Sequence, residues 1–115
     1  DASLMSRSER QIQNEILRAF GTKRWMRLWR ANSGVAQIGR RIVRFGVPGQ
    51  ADLTGILPDG RRIEVEIKSA TGRQTQDQKN FQRMIERFRG LYVLARSVKD
   101  VRRALTVEGY DVDAP

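Results

Sequence analysis

The residues of this chain most suited to chemistry lie on one predicted β-hairpin. Its two limbs span residues 50–57 and 61–68, and the Pro58-Asp59-Gly60 segment between them is typical of a tight turn. Apolar and charged residues alternate along the second limb, which predicts a strand with one face in the core and one polar face. The polar face carries Glu64, Glu66 and Lys68.

The register of this hairpin is fixed by its apolar residues. A register centred on Asp59 puts Leu53 and Leu57 on the same face as the apolar residues of the second limb, whereas a shift by one residue divides them between both faces. That register places Asp52 opposite Glu66, and the Cβ atoms of such pairs lie about 4.5–5.5 Å apart. Two carboxylates at that spacing repel unless a proton or a cation lies between them. Converging oxygen ligands suit Mg²⁺ or Mn²⁺.

Composition limits the classes of protein and of site. The chain has 115 residues, enough for one domain, and a formal net charge of +9, which favours nucleic acid as a partner before membrane. It contains no Cys and no His, so disulfides, thiolate sites and imidazole-dependent catalysis are excluded. The lack of a long apolar run or a signal-peptide pattern predicts no membrane association and a cytoplasmic location.

The remaining pattern predicts helices around a mixed sheet. Capping-box sequences at 8–11 and 75–78 start two helices, and Ser97 starts a third. Residues 23–31 and the two hairpin limbs are predicted strands, 36–43 is a further candidate, and the apolar run 91–95 is expected to be a central buried strand, parallel to the Glu66 strand. We therefore predict one α/β domain over residues 5–115 in the order αβββαβα, with residues 1–4 set aside as a possible remnant before Met5.

Asp52 and the Glu66-Ile67-Lys68 segment resemble the signature of the PD-(D/E)XK nuclease superfamily, and Gln78 matches the glutamine that VRR-NUC domains carry near the start of the following helix. More narrowly, the chain is similar to VRR-NUC domains, whose hairpin begins Gly-x-Pro-Asp-Leu-x-Gly; Asp52-Leu53-Thr54-Gly55 matches this, with Ala51 in place of the proline. The likeness runs from Ser8 to Leu105 and implies a restriction-endonuclease-like mixed sheet flanked by helices. Small stand-alone members of this family look like phage or bacterial enzymes. The resemblance therefore implies a metal-dependent endonuclease that cuts branched DNA, such as four-way (Holliday) junctions, and leaves 5′-phosphate ends.

The resemblance also implies roles for individual residues. Asp52 and Glu66 would hold Mg²⁺ or Mn²⁺ together with the Ile67 carbonyl, and Glu15 of the first helix would reach the metal through water. Lys68 would orient or deprotonate the attacking water and offset charge in the transition state. Lys68 could equally form a plain surface ion pair with Glu66, which contributes about 0–1 kcal/mol.

Two further polar residues belong to the same region. Gln78 shares a helix face with apolar residues and so points towards the sheet, where it could position water or phosphate. It could equally be only the capping-box partner of Thr75. Glu64 lies one pair further along the hairpin and is expected to be structural or to pair with Arg62.

The basic residues around the hairpin are expected to contact phosphates, which supplies affinity but little sequence information. They are Arg40, Arg41, Arg44, Arg61, Arg73 and Lys79. Trp25 and Trp29 could stack on unpaired bases, although burial in a core or in a dimer interface is favoured. A homodimer would let two active sites address two strands of a junction.

Other functions are compatible with the same residues. Alternating charges on a hairpin usually mark a solvated strand face, so the chain could be a non-catalytic nucleic-acid-binding module. It could also be a restriction-type or RNA-cleaving relative of the same superfamily. A test for metal-dependent nicking distinguishes a nuclease from the binding module. A panel of substrates distinguishes the branched-DNA endonuclease from the restriction-type or RNA-cleaving relative.

Overall fold

The computed structural model describes residues 7–32 and 34–115. Within those ranges the chain forms three α-helices and six β-strands. In chain order they are α1 (Glu9–Phe20), β1 (Arg27–Arg30), β2 (Gly34–Ile38), β3 (Arg41–Phe45), β4 (Leu53–Ile56), β5 (Arg62–Ile67), α2 (Gln76–Arg87), β6 (Leu91–Ala95) and α3 (Val98–Val107). The suggested remnant at residues 1–4 lies outside the described ranges.

A four-stranded mixed sheet forms the centre of the fold, in the strand order β1-β4-β5-β6. β1 and β5 both pair antiparallel to β4, whereas β6 pairs parallel to β5 after the α2 crossover. The α/β class, the mixed sheet and the parallel final strand are therefore confirmed. The hairpin register is confirmed as well, since Leu53 pairs with Val65 and Thr54 pairs with Glu64.

The predicted order αβββαβα is corrected to αβββββαβα, because five strands separate α1 from α2 in the described chain. Residues 36–43 do not form a single strand. Gly39, with a φ of 63°, turns the chain back after Ile38 and divides the segment into β2 and β3. These two strands form a separate two-stranded sheet, on which apolar side chains are exposed at Val35, Ile38 and Ile42.

β6 lies at the edge of the four-stranded sheet, so the expectation of a central strand was wrong. Its apolar run has another cause, which is cover from helices on both faces. Tyr92 packs with Phe81 and Ile85 of α2, whereas Val93 belongs to the core that α1 and α3 share with the sheet. A strand covered on both faces needs apolar residues at successive positions wherever it lies in the sheet.

The two faces of the sheet differ in character. The larger core lies on the α1 and α3 face and includes the fully buried Ile16, Ile63 and Leu105. α2 packs on the opposite face, mainly against β6. Glu64 and Glu66 point to that second face, so the polar side of β5 faces the helix that begins at Gln76.

The loop before β4 touches the start of α2. Gly49 has a φ of 76°, and a Cβ at this position would overlap the Asp77 carbonyl oxygen and lie 2.6 Å from the Gln78 nitrogen. Glycine alone tolerates both this backbone conformation and this close approach. The contact holds the chain that leads into Asp52 against the helix that carries Gln78.

We expect Gly49→Ala to destabilise the protein more than Gly39→Ala does. Gly39 is the matched control, since its φ is also positive but a Cβ there meets nothing within 4 Å. The control should cost about 1–2 kcal/mol of unfolding free energy from backbone strain. Gly49→Ala should cost about 2–5 kcal/mol because overpacking adds to that strain. Urea unfolding followed by circular dichroism measures both, and equal losses would contradict the contact.

Candidate active site

Asp52 and Glu66 meet at one end of the β4–β5 hairpin. Asp52 lies at the bend before β4, and its Oδ2 accepts a hydrogen bond of 2.7 Å from the Ile67 backbone N–H. That bond fixes the Asp52 carboxyl beside the last residues of β5. Lys68 follows directly, so the structure brings the two acids and the lysine together at the same end of the sheet.

The Glu66 side chain is buried although it can carry a charge. The residue is 3% exposed, and its two carboxyl oxygens have different surroundings. Oε2 accepts a hydrogen bond of 3.0 Å from Gln78 Nε2 and lies 3.7 Å from Lys68 Nζ. Oε1 is buried and has no hydrogen-bond partner among the described residues. A buried carboxylate oxygen without a partner is unfavourable unless a proton or a cation satisfies it.

The pKa of Glu66 is raised from 4.5 to about 8, and burial is the largest cause. The negative charge of the neighbouring Asp52 carboxyl also raises the pKa, and the charge of Glu9 adds a smaller effect. The Lys68 ammonium acts in the opposite direction. Without a cation, the Glu66 carboxyl therefore holds a proton near neutral pH.

Gln78 serves the helix cap and the acid pair at the same time. Its side-chain oxygen accepts from the Thr75 backbone N–H at 2.9 Å, and its backbone N–H donates to the Thr75 hydroxyl at 3.2 Å, which completes a capping box. Its side-chain nitrogen donates to Glu66. The capping-box interpretation of Gln78 is therefore confirmed, and its side chain also reaches Glu66; that it positions water or phosphate stays a prediction.

The α1 glutamate nearest the acid pair is Glu9, whereas the sequence pointed to Glu15. Glu15 forms an ion pair with Arg7. Glu9 Oε2 accepts a hydrogen bond of 3.4 Å from the Ser69 backbone N–H, and its charge raises the pKa of Glu66. The first turn of α1 lies beside the chain that follows Lys68, so an acid in that turn is better placed. The role of Glu15 stays a prediction.

Glu64 extends the row of acids on the same face of β5. It is fully buried, and its expected pairing with Arg62 is confirmed by a contact of 2.9 Å between Arg62 Nε and Glu64 Oε2. The Thr54 hydroxyl donates to the same oxygen. Glu64 Oε1, like Glu66 Oε1, is buried without a hydrogen-bond partner in the part of the chain that the structure describes.

The oxygen atoms at this position fit a hard divalent cation bound by two carboxylates. Across residues 7–32 and 34–115, no group of three or more His, Cys, Asp or Glu side chains is placed to hold a metal ion. Mg²⁺ does not require such a group, since it keeps several waters and is bound through one or two carboxylates. Asp52 and Glu66 supply these, and the unpartnered Glu66 Oε1 is the oxygen that a cation would satisfy.

Five of the six predicted phosphate-contacting residues are exposed. The β2–β3 hairpin leaves the sheet after β1 and returns before β4, at the end where Asp52 lies, and it carries three of them. Arg73 and Lys79 are on the other side, where they line a cleft with Arg96. The three on the hairpin are Arg40, Arg41 and Arg44.

Arg61 is placed differently from the other five. It precedes β5 and so lies at the opposite end of the strand from Glu66. Its Nε donates to the Arg89 carbonyl at 2.8 Å, and its guanidinium lies 2.6 Å from a Glu108 carboxylate oxygen. These contacts make Arg61 a structural residue at the turn end of the hairpin.

Arg96 was missed by the sequence reasoning. It directly follows β6, and its guanidinium donates to the Ser69 carbonyl, which ties the chain after Lys68 to the end of β6. A signal for it existed: the carboxyl ends of parallel strands lie at the same edge of a sheet, so a basic residue after 91–95 should lie near Glu66.

The unfolding free energy of the metal-free protein should fall as the pH rises from about 5 to about 9. Glu66→Gln should remove this pH-dependent part of the unfolding free energy. The folded pKa of Glu66, about 8, exceeds its ordinary value of 4.5. Stability from this proton is therefore fully present below the ordinary pKa and is lost as the pH rises through the folded pKa, by a few kcal/mol at most.

The measurement is the unfolding free energy of wild type and variant across this pH range in EDTA. Glu86→Gln, at an exposed position on α2, is the control and should follow the wild type. A difference between wild type and Glu66→Gln that does not change with pH would contradict the buried, protonated acid.

Comparison of the chain with protein-family models, with curated proteins and with solved structures gave no match. The described helices include none that is both long and apolar enough to cross a bilayer. A functional assignment therefore depends on the geometry of the acid pair and on the charge of the chain.

Proposed function

We propose that this chain is a Mg²⁺- or Mn²⁺-dependent endonuclease that hydrolyses phosphodiester bonds in branched DNA and leaves 5′-phosphate ends. The observation that carries the proposal is the buried Glu66 carboxyl, which has one unpartnered oxygen and lies beside Asp52, Lys68 and Gln78. The mixed sheet with helices on both faces is compatible with the restriction-endonuclease-like fold that the resemblance to VRR-NUC domains implies.

In the proposed mechanism, Asp52, Glu66 and the Ile67 carbonyl would hold a divalent cation, which would supply positive charge for acidifying water and offsetting the charge of a phosphate oxygen. Lys68 orients the attacking water and offsets the negative charge that develops on the phosphate. Gln78 keeps the Glu66 carboxyl in one orientation, because the amide that donates to it is itself fixed by Thr75.

The distribution of basic residues supports a nucleic-acid substrate. The β2–β3 hairpin carries Arg40, Arg41 and Arg44 on one side of the acid pair, and Arg73 and Lys79 lie on the other. A strand of DNA that crosses Asp52 could contact both groups through its phosphates. Such contacts read shape and not sequence, which suits a branched substrate.

A homodimer would complete this arrangement. The two-stranded β2–β3 sheet exposes apolar side chains, and an isolated two-stranded hairpin is marginally stable unless it packs on another surface. Pairing of two copies through this hairpin would cover those side chains. It would also present two acid pairs to two strands of a junction. We place this activity in the cytoplasm, where intracellular DNA is accessible.

One observation favours a second candidate, a non-catalytic nucleic-acid-binding module. The raised pKa of Glu66 means that a proton on Glu66 can satisfy this buried carboxyl near neutral pH without any metal. In that case Asp52, Glu66 and Lys68 would be a buried polar cluster that stabilises the end of the hairpin. Cleavage assays separate the two functions.

Wild-type protein should nick a four-way junction in Mg²⁺ or Mn²⁺, and EDTA should abolish the reaction. Asp52→Asn and Glu66→Gln should each lower the cleavage rate by about 10²–10⁴-fold, the range for groups that act on the transition state. Junction affinity should stay the same or rise, because each substitution removes a negative charge. Gel assays of cleavage and of binding measure the two quantities separately.

The control for this experiment is Glu86→Gln, which removes an exposed carboxylate from α2 and should leave cleavage unchanged. Binding without metal-dependent nicking of branched DNA, duplex DNA or RNA would support the binding module. Preferred cleavage of RNA or of a defined duplex sequence would favour the RNA-cleaving or restriction-type alternative.

Replacing the three hairpin arginines by serine should weaken junction binding and flatten its salt dependence. Removing one phosphate-binding cation reduces the slope of log affinity against log salt by about one, so the slope of the triple variant Arg40→Ser, Arg41→Ser, Arg44→Ser should fall by about three. The matched control removes the same charge from α3, on the opposite face of the sheet, through Lys99→Ser, Arg102→Ser and Arg103→Ser. Equal slopes for the two triple variants would contradict the placement of the interface.

A further inference from the structure

We propose that Trp29 and the open part of the sheet beside Asp52 form a stacking site for one unpaired nucleobase. This inference rests on the proposed function for the class of substrate and adds a reason for its preference. It makes Trp29 a residue that determines specificity and not a catalytic residue.

The register of the sheet places Trp29 next to the acids. Trp29 pairs with Thr54 across β1 and β4, and Thr54 pairs with Glu64 across β4 and β5. The three side chains therefore lie in one row on the face that carries Glu66. Asp52 is two residues before Thr54, which makes it the diagonal neighbour of Trp29 at about 7–8 Å, a distance that an aromatic side chain can reach across.

This part of the sheet is open. The Trp29 side chain is 52% exposed and Ile56, the next residue on the same face of β4, is 48% exposed. α2 packs through Phe81 and Ile85 over Tyr92 of β6 and leaves the β1–β4 side of this face uncovered. Leu28, on the other face of β1, is buried in the main core. β1 is therefore anchored through Leu28, and the Trp29 indole is not needed to hold this strand in place.

Trp25, the other tryptophan, makes the contacts expected of a structural residue. The Trp25 ring stacks on Tyr110 with ring centroids 6.0 Å apart, and its Nε1–H donates to the Ala114 carbonyl at 3.1 Å. Trp29 has no such partner in the described part of the chain. Trp25 is half-buried, whereas Trp29 is not buried in the core of the chain; burial of Trp29 in a dimer interface stays a prediction.

The chemistry of the surroundings favours a nucleobase over other flat or apolar ligands. The phosphate of a bound nucleotide would lie at Asp52 and Glu66, so its neighbouring base falls within reach of the indole. The exposed guanidinium of Arg62 and the overall charge of +9 favour a polyanion on this surface. A base in a duplex is already stacked on both faces, so only an unpaired or unstacked base can occupy the site.

The test uses intrinsic fluorescence in protein that cannot cleave. The chain has two tryptophans, so Trp25→Phe in an Asp52→Asn background leaves Trp29 as the single reporter. In EDTA, a duplex with a three-nucleotide gap should quench this fluorescence on binding, and a blunt duplex of the same length should quench it much less. Replacing each base in the gap by an abasic nucleotide should remove the quenching.

Affinity supplies the second readout. Trp29→Leu should lower the affinity for gapped DNA by about 5- to 100-fold, the range that one base–aromatic stack supports, and should leave blunt-duplex affinity nearly unchanged. Trp29→Phe, which keeps a ring, should recover much of the loss. Far-UV circular dichroism confirms that each variant is folded.

Three results would overturn the stacking site. The first is quenching that is equal for gapped, abasic and blunt DNA. The second is a loss of affinity in Trp29→Leu that is the same for all three. The third is a change of oligomeric state in Trp29→Leu, which would assign the indole to contact with a second copy. Because no result here depends on cleavage, an inactive protein would refute the proposed endonuclease and leave this test standing.

Discussion

Burial of the Glu66 carboxyl is the constraint on which the rest of this structure depends. An isolated charge at this depth would be strongly unfavourable, so the surroundings must supply a proton, a cation or several donors. The chain supplies one amide from Gln78 and one ammonium from Lys68, both directed at the same oxygen. The second oxygen is left without a partner among the described residues. This incomplete compensation distinguishes the acid pair from an ordinary hydrogen-bonded core carboxylate.

Several elements of the fold act together to hold that arrangement. The β4–β5 register brings Asp52 alongside, the crossover through α2 returns the chain so that β6 shields β5, and Gly49 lets the incoming loop lie against the first turn of α2. None of these features is catalytic in itself. Each limits the position of a side chain within the acid pair, because the strands and the helix are anchored in two cores on opposite faces of the sheet.

The local parts of the structure could be predicted well from the sequence. Strict alternation determined which side chains of β5 face the core, and two capping boxes located the starts of α1 and α2. The proximity of Asp52 to Glu66 followed from the same alternation. These features depend on neighbours within about 15 residues, where pattern and geometry are directly linked.

The features of the structure that the sequence did not predict depend on distant packing. The edge position of β6 could not be inferred from its apolar run, since cover by two helices gives the same composition as a central strand. The choice between Glu9 and Glu15 required knowing how α1 is oriented relative to the end of β5. The exposure of Trp29 depends on how far α2 extends across the sheet, which a single sequence does not encode locally.

The side-chain amide of Gln78 contacts both Thr75 and Glu66, and this limits which amino acids position 78 can accept. Capping boxes elsewhere use glutamate and glutamine almost interchangeably, because either offers an oxygen to the cap N–H. Here a glutamate would satisfy Thr75 but would turn a second negatively charged oxygen towards Glu66, in place of the donor that lies 3.0 Å away. The interchange that is conservative in most helices would thus replace a hydrogen-bond donor by an acceptor at the buried Glu66 carboxyl. Side-chain size and helix propensity are nearly the same for the two amino acids, so this site discriminates between them by hydrogen-bond polarity alone.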